Sequence, residues 1–204
     1  MSRARKLLRL GVLGGRATEA VVIPDAFLDT FTAVDGTLLA AHTPDTDTSS
    51  NGWTDLDGAM QIVGGKAMAK NPPTVGELIL TTADVGLADG VVQATLEPYA
   101  SLAFRTTDTA NWWMAWCAEG ILAIDKLVDG AYEEVDSVVF TPADPNAVTL
   151  TVTLAGDSIT VVADNDPAST VAITDAFNQS ATQHGLMLPY DETSAADNFS
   201  IAEA

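Results

Sequence analysis

Strand-length apolar runs are the feature that most constrains this chain. From Asp25 onward, short apolar or alternating runs are separated by Gly, Pro, Asn and Asp, and no segment keeps the 3.6-residue period of an amphipathic helix. About ten antiparallel strands at this spacing predict an all-β sandwich, which 204 residues can form as one domain. The clearest predicted strands are Glu77–Thr81, Val91–Leu96, Leu102–Arg105, Trp112–Cys117, Ile121–Leu127, Glu133–Phe140, Val148–Leu154, Ser158–Asp164, Thr170–Ile173 and Asn198–Ala202.

Turn chemistry predicts which of these strands are neighbours. Gly stands beside Asp in Val128–Ala131 and in Ala155–Asp157, where a tight hairpin requires a positive φ. Both segments therefore predict antiparallel hairpins. In Thr149–Leu154, apolar residues alternate with threonines, which predicts a strand with one buried and one solvated face. The polar run Pro44–Asn51 and the segment Ala69–Gly76, with its two adjacent prolines, predict loops at the ends of the sandwich.

Charge divides the sequence into two parts. Five of the nine Lys and Arg residues precede the first acidic residue, Glu19, whereas the 28 acidic residues all lie from Glu19 onward. We therefore distinguish a basic N-terminal arm, residues 1–24, from an acidic body, residues 25–204. An acidic body repels nucleic acid and anionic membrane surfaces. The apolar run that starts at Leu7 is interrupted by Arg9 and is too short to span a bilayer. We expect neither nucleic acid nor a membrane as partner.

Three blocks of the body carry a family likeness. They are Asp29–Leu38 with His42 and Trp53, Leu102–Asp108 with Asn111–Trp113, and Phe177–Leu186 followed by Asp197–Ile201. In this order they resemble the concanavalin A-like lectin/glucanase superfamily, in the laminin-G-like branch that is common in tailed-phage virion proteins. The resemblance spans about residues 25–202 and implies a jelly-roll sandwich. It also implies that the opening strand, Phe27–Thr32, pairs with the closing strand, so that both ends of the body leave at one edge.

The sequence offers weak candidates for catalysis. Glycosidases of this superfamily use acidic residues that alternate on one strand, because the acid and the nucleophile flank one glycosidic bond. Glu134 and Asp136 alternate in this way, but Val138 stands where the pattern has a third acidic residue. The sequence places no exposed serine and no orienting acid beside either histidine, His42 or His184, to complete a triad. We expect no enzyme activity and no cofactor.

Aromatic and acidic clusters are candidates for binding. Trp112, Trp113 and Trp116, with Tyr99, could form a stacking platform for a sugar or a contact with a protein. Strand alternation sends Trp113 to the face opposite Trp112 and Trp116, so one set is core, and core packing is the simpler interpretation of these tryptophans. Calcium is a second candidate ligand, because hard oxygen donors suit that ion. The candidate residues are Asp45, Asp47, Asp55 and Asp57. Their spacing matches no established calcium loop, so solvated surface charge is the simpler interpretation.

The single cysteine, Cys117, excludes an internal disulfide and is predicted to be a buried thiol.

The basic arm has three interpretations: nucleic-acid contact, membrane-surface contact, or docking on an acidic protein, which could be another copy of the body. Interleaved leucines favour a protein groove. The predicted docking residues are Arg3, Arg5, Lys6, Leu7, Leu8, Arg9, Leu10, Val12, Leu13 and Arg16.

Our leading hypothesis for the whole protein is a non-enzymatic structural protein on the surface of a tailed-virus particle, which would be a capsid decoration, a minor capsid component or a tail component. Its partners would be the major capsid or tail protein and copies of itself. The alternative is a lectin-like module that binds a glycan of the host surface, and the third, a glycosidase, is disfavoured.

Overall fold

The computed structural model describes residues 25–70, 78–144, 146–164, 166–189 and 194–204. Within these ranges the chain forms two antiparallel β-sheets and one short 3-10 helix, Leu39–Ala41. The fold is therefore all-β, as the sequence predicts. The division between arm and body stays a prediction, because the arm lies outside the described residues.

The first sheet has nine strands among the described residues. They are β1 (Asp25–Asp29), β2 (Thr46–Asp47), β4 (Met60–Val63), β5 (Lys66–Ala69), β7 (Gly90–Leu96), β12 (Val148–Ala155), β13 (Ser158–Ala163), β14 (Thr170–Thr174) and β16 (Ala195–Ala202). Their order is β14-β13-β12-β7-β16-β1-β2, and β5 pairs with both β16 and β4.

The second sheet has seven strands in the described part of the chain. They are β3 (Trp53–Asp57), β6 (Leu78–Asp84), β8 (Ser101–Asp108), β9 (Asn111–Ala118), β10 (Ile121–Val128), β11 (Ala131–Val139) and β15 (Gln183–Pro189). Their order is β11-β10-β9-β8-β15-β6-β3, so β11 and β3 are the edges.

The predicted pairings are confirmed. The opening strand β1 pairs with the closing strand β16, with Phe27 opposite Ile201. Both predicted hairpins are present, β10 with β11 and β12 with β13. The opening strand ends at Asp29 instead of Thr32, because Phe31 adopts a φ of 53° and donates its backbone N–H to Asp29 Oδ1 at 2.7 Å.

The core lies between the two sheets. Trp53 stands at one end of it, with its ring 5.0 Å from that of Phe27 and 4.9 Å from that of Phe199. Leu150, Val152 and Leu154 of β12 are fully buried, and the threonines between them are partly exposed, as the alternation predicts. One face of the nine-stranded sheet is thus solvated.

Two predictions from the sequence need correction. The polar run Pro44–Asn51 is not only a loop: its residues Thr46 and Asp47 form β2, which extends the sheet beside β1. Strand β15 is absent from the predicted set; it contains Gly185 and Pro189, residue types that are uncommon inside strands. In the structure a Cβ at Gly185 would lie 2.1 Å from the backbone oxygen of Thr81, so a glycine is required where β15 meets β6.

Cys117 is only partly buried, whereas the sequence predicts a buried thiol. Burial and the nearby Asp164 carboxylate raise the pKa of its thiol to about 11, so the thiol is protonated at neutral pH and is a poor nucleophile. No helix in the described ranges has the length and apolar character that crossing a membrane requires.

Candidate functional site

The outer face of the seven-stranded sheet carries an apolar cluster of its own. Register decides which side chains point there: Trp116 lies opposite Ala123, Met114 opposite Asp125 and Trp112 opposite Leu127. Trp113, Ala115 and Cys117, which alternate with them, pack on the inter-sheet core. The outward set joins a separate cluster with Leu80, Ala103 and Met187 from the neighbouring strands. The predicted alternation along β9 is therefore confirmed.

A groove of about 520 Å³ opens on this face. A volume of this size lies in the range typical of small-molecule sites. Its floor and walls are mostly apolar, and the lining residues are Leu78, Tyr99, Ser101, Met114, Trp116, Ala118, Glu119, Ile121, Leu127, Tyr132, Met187 and Pro189.

Three aromatic side chains of the groove reach solvent. The side chain of Trp116 is partly exposed, and Tyr99 and Tyr132 are 48% and 58% exposed. Tyr99 stands in the turn before β8 and donates its hydroxyl to Glu119 Oε1 at 3.3 Å. Aromatic side chains that combine an apolar face with a polar edge are common where a ligand is partly solvated.

Two of the candidate tryptophans, Trp112 and Trp113, are buried side chains and not a free stacking surface. Trp112 is 1% exposed and Trp113 is 0% exposed, so neither ring offers a free face. Trp113 Nε1 donates to the backbone oxygen of Phe177 at 2.9 Å, and Lys126 Nζ lies 5.2 Å from the centre of its ring. Tyr99 is exposed, as the prediction requires. Strand alternation identifies which rings share a face, but it gives no measure of how deeply neighbouring strands cover them.

Tyr132 lines the groove but is not among the binding residues that the sequence predicts. It lies opposite Leu127 across the hairpin, and this register could have been counted outward from the predicted turn at Asp129 and Gly130.

Asp125 fixes the orientation of two groove aromatics. Its carboxylate is fully buried beneath the groove, and Asp125 Oδ2 accepts hydrogen bonds from Trp116 Nε1 and from the Tyr132 hydroxyl. Burial raises the pKa of Asp125 despite these two donors. Burial, with the hydrogen bond to Asp125, also raises the pKa of Tyr132, so its phenol keeps its proton at neutral pH. Two rings held by one carboxylate form a preorganised surface.

Glu134 and Asp136, the candidate glycosidase pair, are both exposed on the edge strand β11. A bulge at this point places Glu134 opposite Asp125 and Asp136 opposite Ile124. Since Asp125 and Ile124 are consecutive and point to opposite faces, the two carboxylates are directed to opposite sides of the sheet. This arrangement differs from two carboxylates that flank one glycosidic bond.

The two histidines have separate structural surroundings. His42 Nε2 lies 3.0 Å from Asp29 Oδ1, and Asp29 Oδ2 accepts the indole N–H of Trp53 at 2.7 Å. Burial raises the pKa of Asp29. His184 is buried at the other sheet, and burial lowers its pKa to about 4. No serine completes either arrangement among the hydrogen bonds of the described residues.

The four candidate calcium ligands have individual roles. Asp45 accepts the backbone N–H and the hydroxyl of Thr30, and Asp47 accepts three backbone N–H groups of the turn that follows it. Asp55 accepts the hydroxyl of Thr81, and Asp57 is exposed. No group of three or more His, Cys, Asp or Glu side chains suited to a metal ion occurs in the described ranges.

The predicted docking residues of the arm lie outside the described residues. Their role as a docking segment therefore stays a prediction from the sequence.

The two-layer antiparallel topology defines the class of fold: it is a concanavalin A-like jelly-roll sandwich. Among solved structures, the chain is similar to a carbohydrate-binding module, CBM66, of Bacillus subtilis, with a TM-score of 0.55 and 16% identity over 73% of this chain and 92% of that one. The chain is also similar to the β-glucanase of Bacillus licheniformis, with a TM-score of 0.53 and 13% identity over 87% of this chain and 97% of that one.

A third similar structure is the exoplasmic/lumenal domain of VIP36 in a form bound to Ca²⁺ and mannose, with a TM-score of 0.52 and 8% identity over 77% of this chain and 86% of that domain. At these identities the likeness concerns the fold, because one fold carries many functions. No family model matches the sequence, and no curated protein matches it.

Proposed function

We propose that the body is a carbohydrate-binding, lectin-like module and that its site is the groove on the outer face of the seven-stranded sheet. The observation that carries the proposal is the set of three solvent-reaching aromatic rings, Trp116, Tyr99 and Tyr132, around one cavity. Aromatic faces bind the apolar side of a pyranose ring. The carboxylate of Glu119 at the rim can accept a hydrogen bond from a sugar hydroxyl.

The role is binding and not catalysis. A glycosidase needs two carboxylates on either side of one bond, and β11 directs Glu134 and Asp136 to opposite faces. The buried carboxylate of Asp125 is engaged by two aromatic donors, a role that orients the site. The similar structures fit this role, since a carbohydrate-binding module and a mannose-bound lumenal domain are among them.

The test measures glycan binding by the full chain on a glycan array, followed by calorimetric titration of each glycan that binds. We expect saturable binding, and we expect Trp116→Ala to weaken it by roughly 30-fold or more, the effect typical of a central aromatic contact. Because Trp116 also donates to Asp125, a second variant, Tyr99→Ala, alters only a half-exposed rim residue and should weaken binding with no change in melting temperature.

Val34→Ala is the control for this test. Val34 is 81% exposed and does not line the groove, so its truncation should leave affinity unchanged. Absence of saturable binding to every glycan, or binding that neither Trp116→Ala nor Tyr99→Ala weakens, would contradict the proposal.

The structural role on a tailed-virus particle stays a hypothesis from the sequence. Its support is the basic, leucine-containing arm and the family resemblance, and the similar solved structures are lectin-like modules and glycan-active enzymes. A lectin-like module can also serve in a virion, so the two hypotheses are compatible at the level of the whole protein.

A further inference from the structure

The charged groups that border the groove all carry negative charge in the described part of the chain. Glu119 lines it, and Glu134 lies two residues from the groove residue Tyr132 on the same face of β11. The four Lys and Arg residues of the body lie elsewhere. Lys66 pairs with Glu97, Arg105 with Asp89, and Lys126 with Glu133 and Asp175. Lys70 does not line the groove either. An anionic ligand would meet carboxylates, and none of the described Lys and Arg residues lines the groove to compensate them.

The floor of the groove is aliphatic. Across β8, Met187 lies in line with Trp116 through Ser101, and Met114 lies opposite Ala103, two residues along the same strand. Both methionines are nearly buried, and Leu127, Leu78, Ile121 and Pro189 continue the apolar wall. A sugar hydroxyl pressed against these side chains loses its hydrogen bonds to water and finds no partner, which is unfavourable. A methyl or acetyl group in the same place gains contact instead, and methionine side chains adapt to irregular apolar shapes.

From this combination we infer that the groove selects uncharged saccharides that carry an apolar substituent, such as a 6-deoxy or an acetylated sugar, and that it excludes uronates and other acidic sugars. This inference rests on the proposed function. The ligand would stack on Trp116, direct its methyl or acetyl group toward Met114 and Met187, and place a hydroxyl near Glu119. Glu119 is then a residue that determines specificity, since it is the carboxylate that lines the groove itself.

The test uses three matched series of methyl glycosides, in the gluco, galacto and manno configurations, each as the parent sugar, its 6-deoxy derivative and its uronate. Ligand-observed NMR titration of the full chain gives the dissociation constants. In the series that binds, we expect the 6-deoxy derivative to bind roughly five- to tenfold more tightly than the parent, because a buried hydroxyl is replaced by hydrogen. We expect the uronate to bind at least about tenfold more weakly, because its carboxylate meets like charge.

Charge reversal at the rim isolates the electrostatic contribution to the exclusion of uronates. Glu119→Lys should reduce the penalty for the uronate, measured as its affinity relative to that of its parent sugar, by roughly tenfold, while the lost hydroxyl contact weakens the parent and the 6-deoxy sugar alike. Glu203→Lys is the matched control, because Glu203 is exposed beyond β16 in the other sheet and the charge change is the same. It should leave the preference unchanged.

Separate outcomes test the inference and the proposed function. A uronate that binds as tightly as its parent, a 6-deoxy sugar that binds no better, or equal effects of Glu119→Lys and Glu203→Lys would overturn the inference while glycan binding stands. If no sugar of any series or of the glycan array binds, or if Trp116→Ala leaves all binding unchanged, the proposed function itself is wrong.

Discussion

At the scale of single residues, several buried side chains of the described chain are held by specific hydrogen bonds. His184 is the clearest example. Its Nδ1 accepts the backbone N–H of Arg105 at 3.3 Å, and its Nε2 donates to the backbone oxygen of Leu87 at 2.8 Å. This pattern requires a neutral ring with the proton on Nε2. Burial and the positive charge of Arg105 both lower the pKa of His184, and the backbone acceptor and Asp84 oppose them only in part.

The pH dependence of stability follows from this residue. In the unfolded chain the histidine has a pKa near 6.5, whereas in the folded protein it is about 4. As pH falls from 6.5 toward 4, the unfolded state takes up a proton that the folded state does not, so stability falls by roughly 3 kcal/mol over this window. We expect His184→Gln to be less stable than the wild type at pH 7, because glutamine copies the hydrogen bonds imperfectly, and to lose less stability between pH 6.5 and 4.

Urea unfolding at several pH values measures the difference, and NMR titration of the histidine ring protons gives the pKa directly. The chain has two histidines, so the His184→Gln spectrum assigns the signals. A midpoint above 6 for His184, or a variant with the same pH slope as the wild type, would contradict the argument.

At the scale of elements, the sequence predicts strands well where apolar residues alternate and turns carry Asp-Gly or Gly-Asp. The strands from β7 to β14 were predicted to within a few residues, because each is long enough to show its own pattern. Strand β2 has two residues and is defined by its pairing with β1, which no local pattern reveals. The sequence predicts the groove only in part, for the same reason. The alternation along β9 shows that Trp112 and Trp113 point to opposite faces, but how deeply each ring is buried depends on β8, β10 and β15.

The β10–β11 hairpin allows a quantitative test of this turn chemistry. Asp129 has a φ of 51° and Gly130 a φ of 77°, the pattern of a two-residue type I′ turn. A Cβ at Gly130 would come no closer than 4.0 Å to Ala110, so there is space for it and only the backbone conformation is unfavourable. We expect Gly130→Ala to reduce the free energy of unfolding by about 1 kcal/mol. Asp129→Asn is the control and should preserve stability, since Asn-Gly is a preferred pair in this turn. Chemical denaturation measures both variants, and equal losses would contradict the assignment of the turn.

At the scale of the whole molecule, scaffold and candidate site are supported by different residues. The core cluster between the sheets runs in sequence from Phe27 to Ile201, whereas the groove is formed on the outer face of one sheet by a second, smaller cluster. Separate clusters mean that groove residues can be changed with limited loss of the sandwich. The strong negative charge of the body reinforces the exclusion of acidic ligands and leaves the basic arm as the part suited to an acidic partner.

Deletion of residues 2–24 tests how arm and body share these roles. Because the described core begins at Phe27, we expect the truncated chain to keep its melting temperature to within about 2 °C and its glycan affinity to within about twofold. The docking hypothesis predicts that self-association, or attachment to a particle, is lost on deletion; sedimentation measures the former. A full-length control replaces Arg3, Arg5, Lys6, Arg9 and Arg16 by Gln and keeps the leucines.

The control separates charge from apolar contact. If docking depends on charge, the Gln variant fails to dock, as the truncated chain does, and the docking affinity of the wild type falls steeply as the salt concentration rises. If the leucines dominate, the Gln variant docks almost normally. A truncated chain that folds and associates as tightly as the intact one would show that the arm does not dock, and a truncated chain that fails to fold would show that the arm is part of the body. Glycan binding that survives the deletion would place recognition in the sandwich alone.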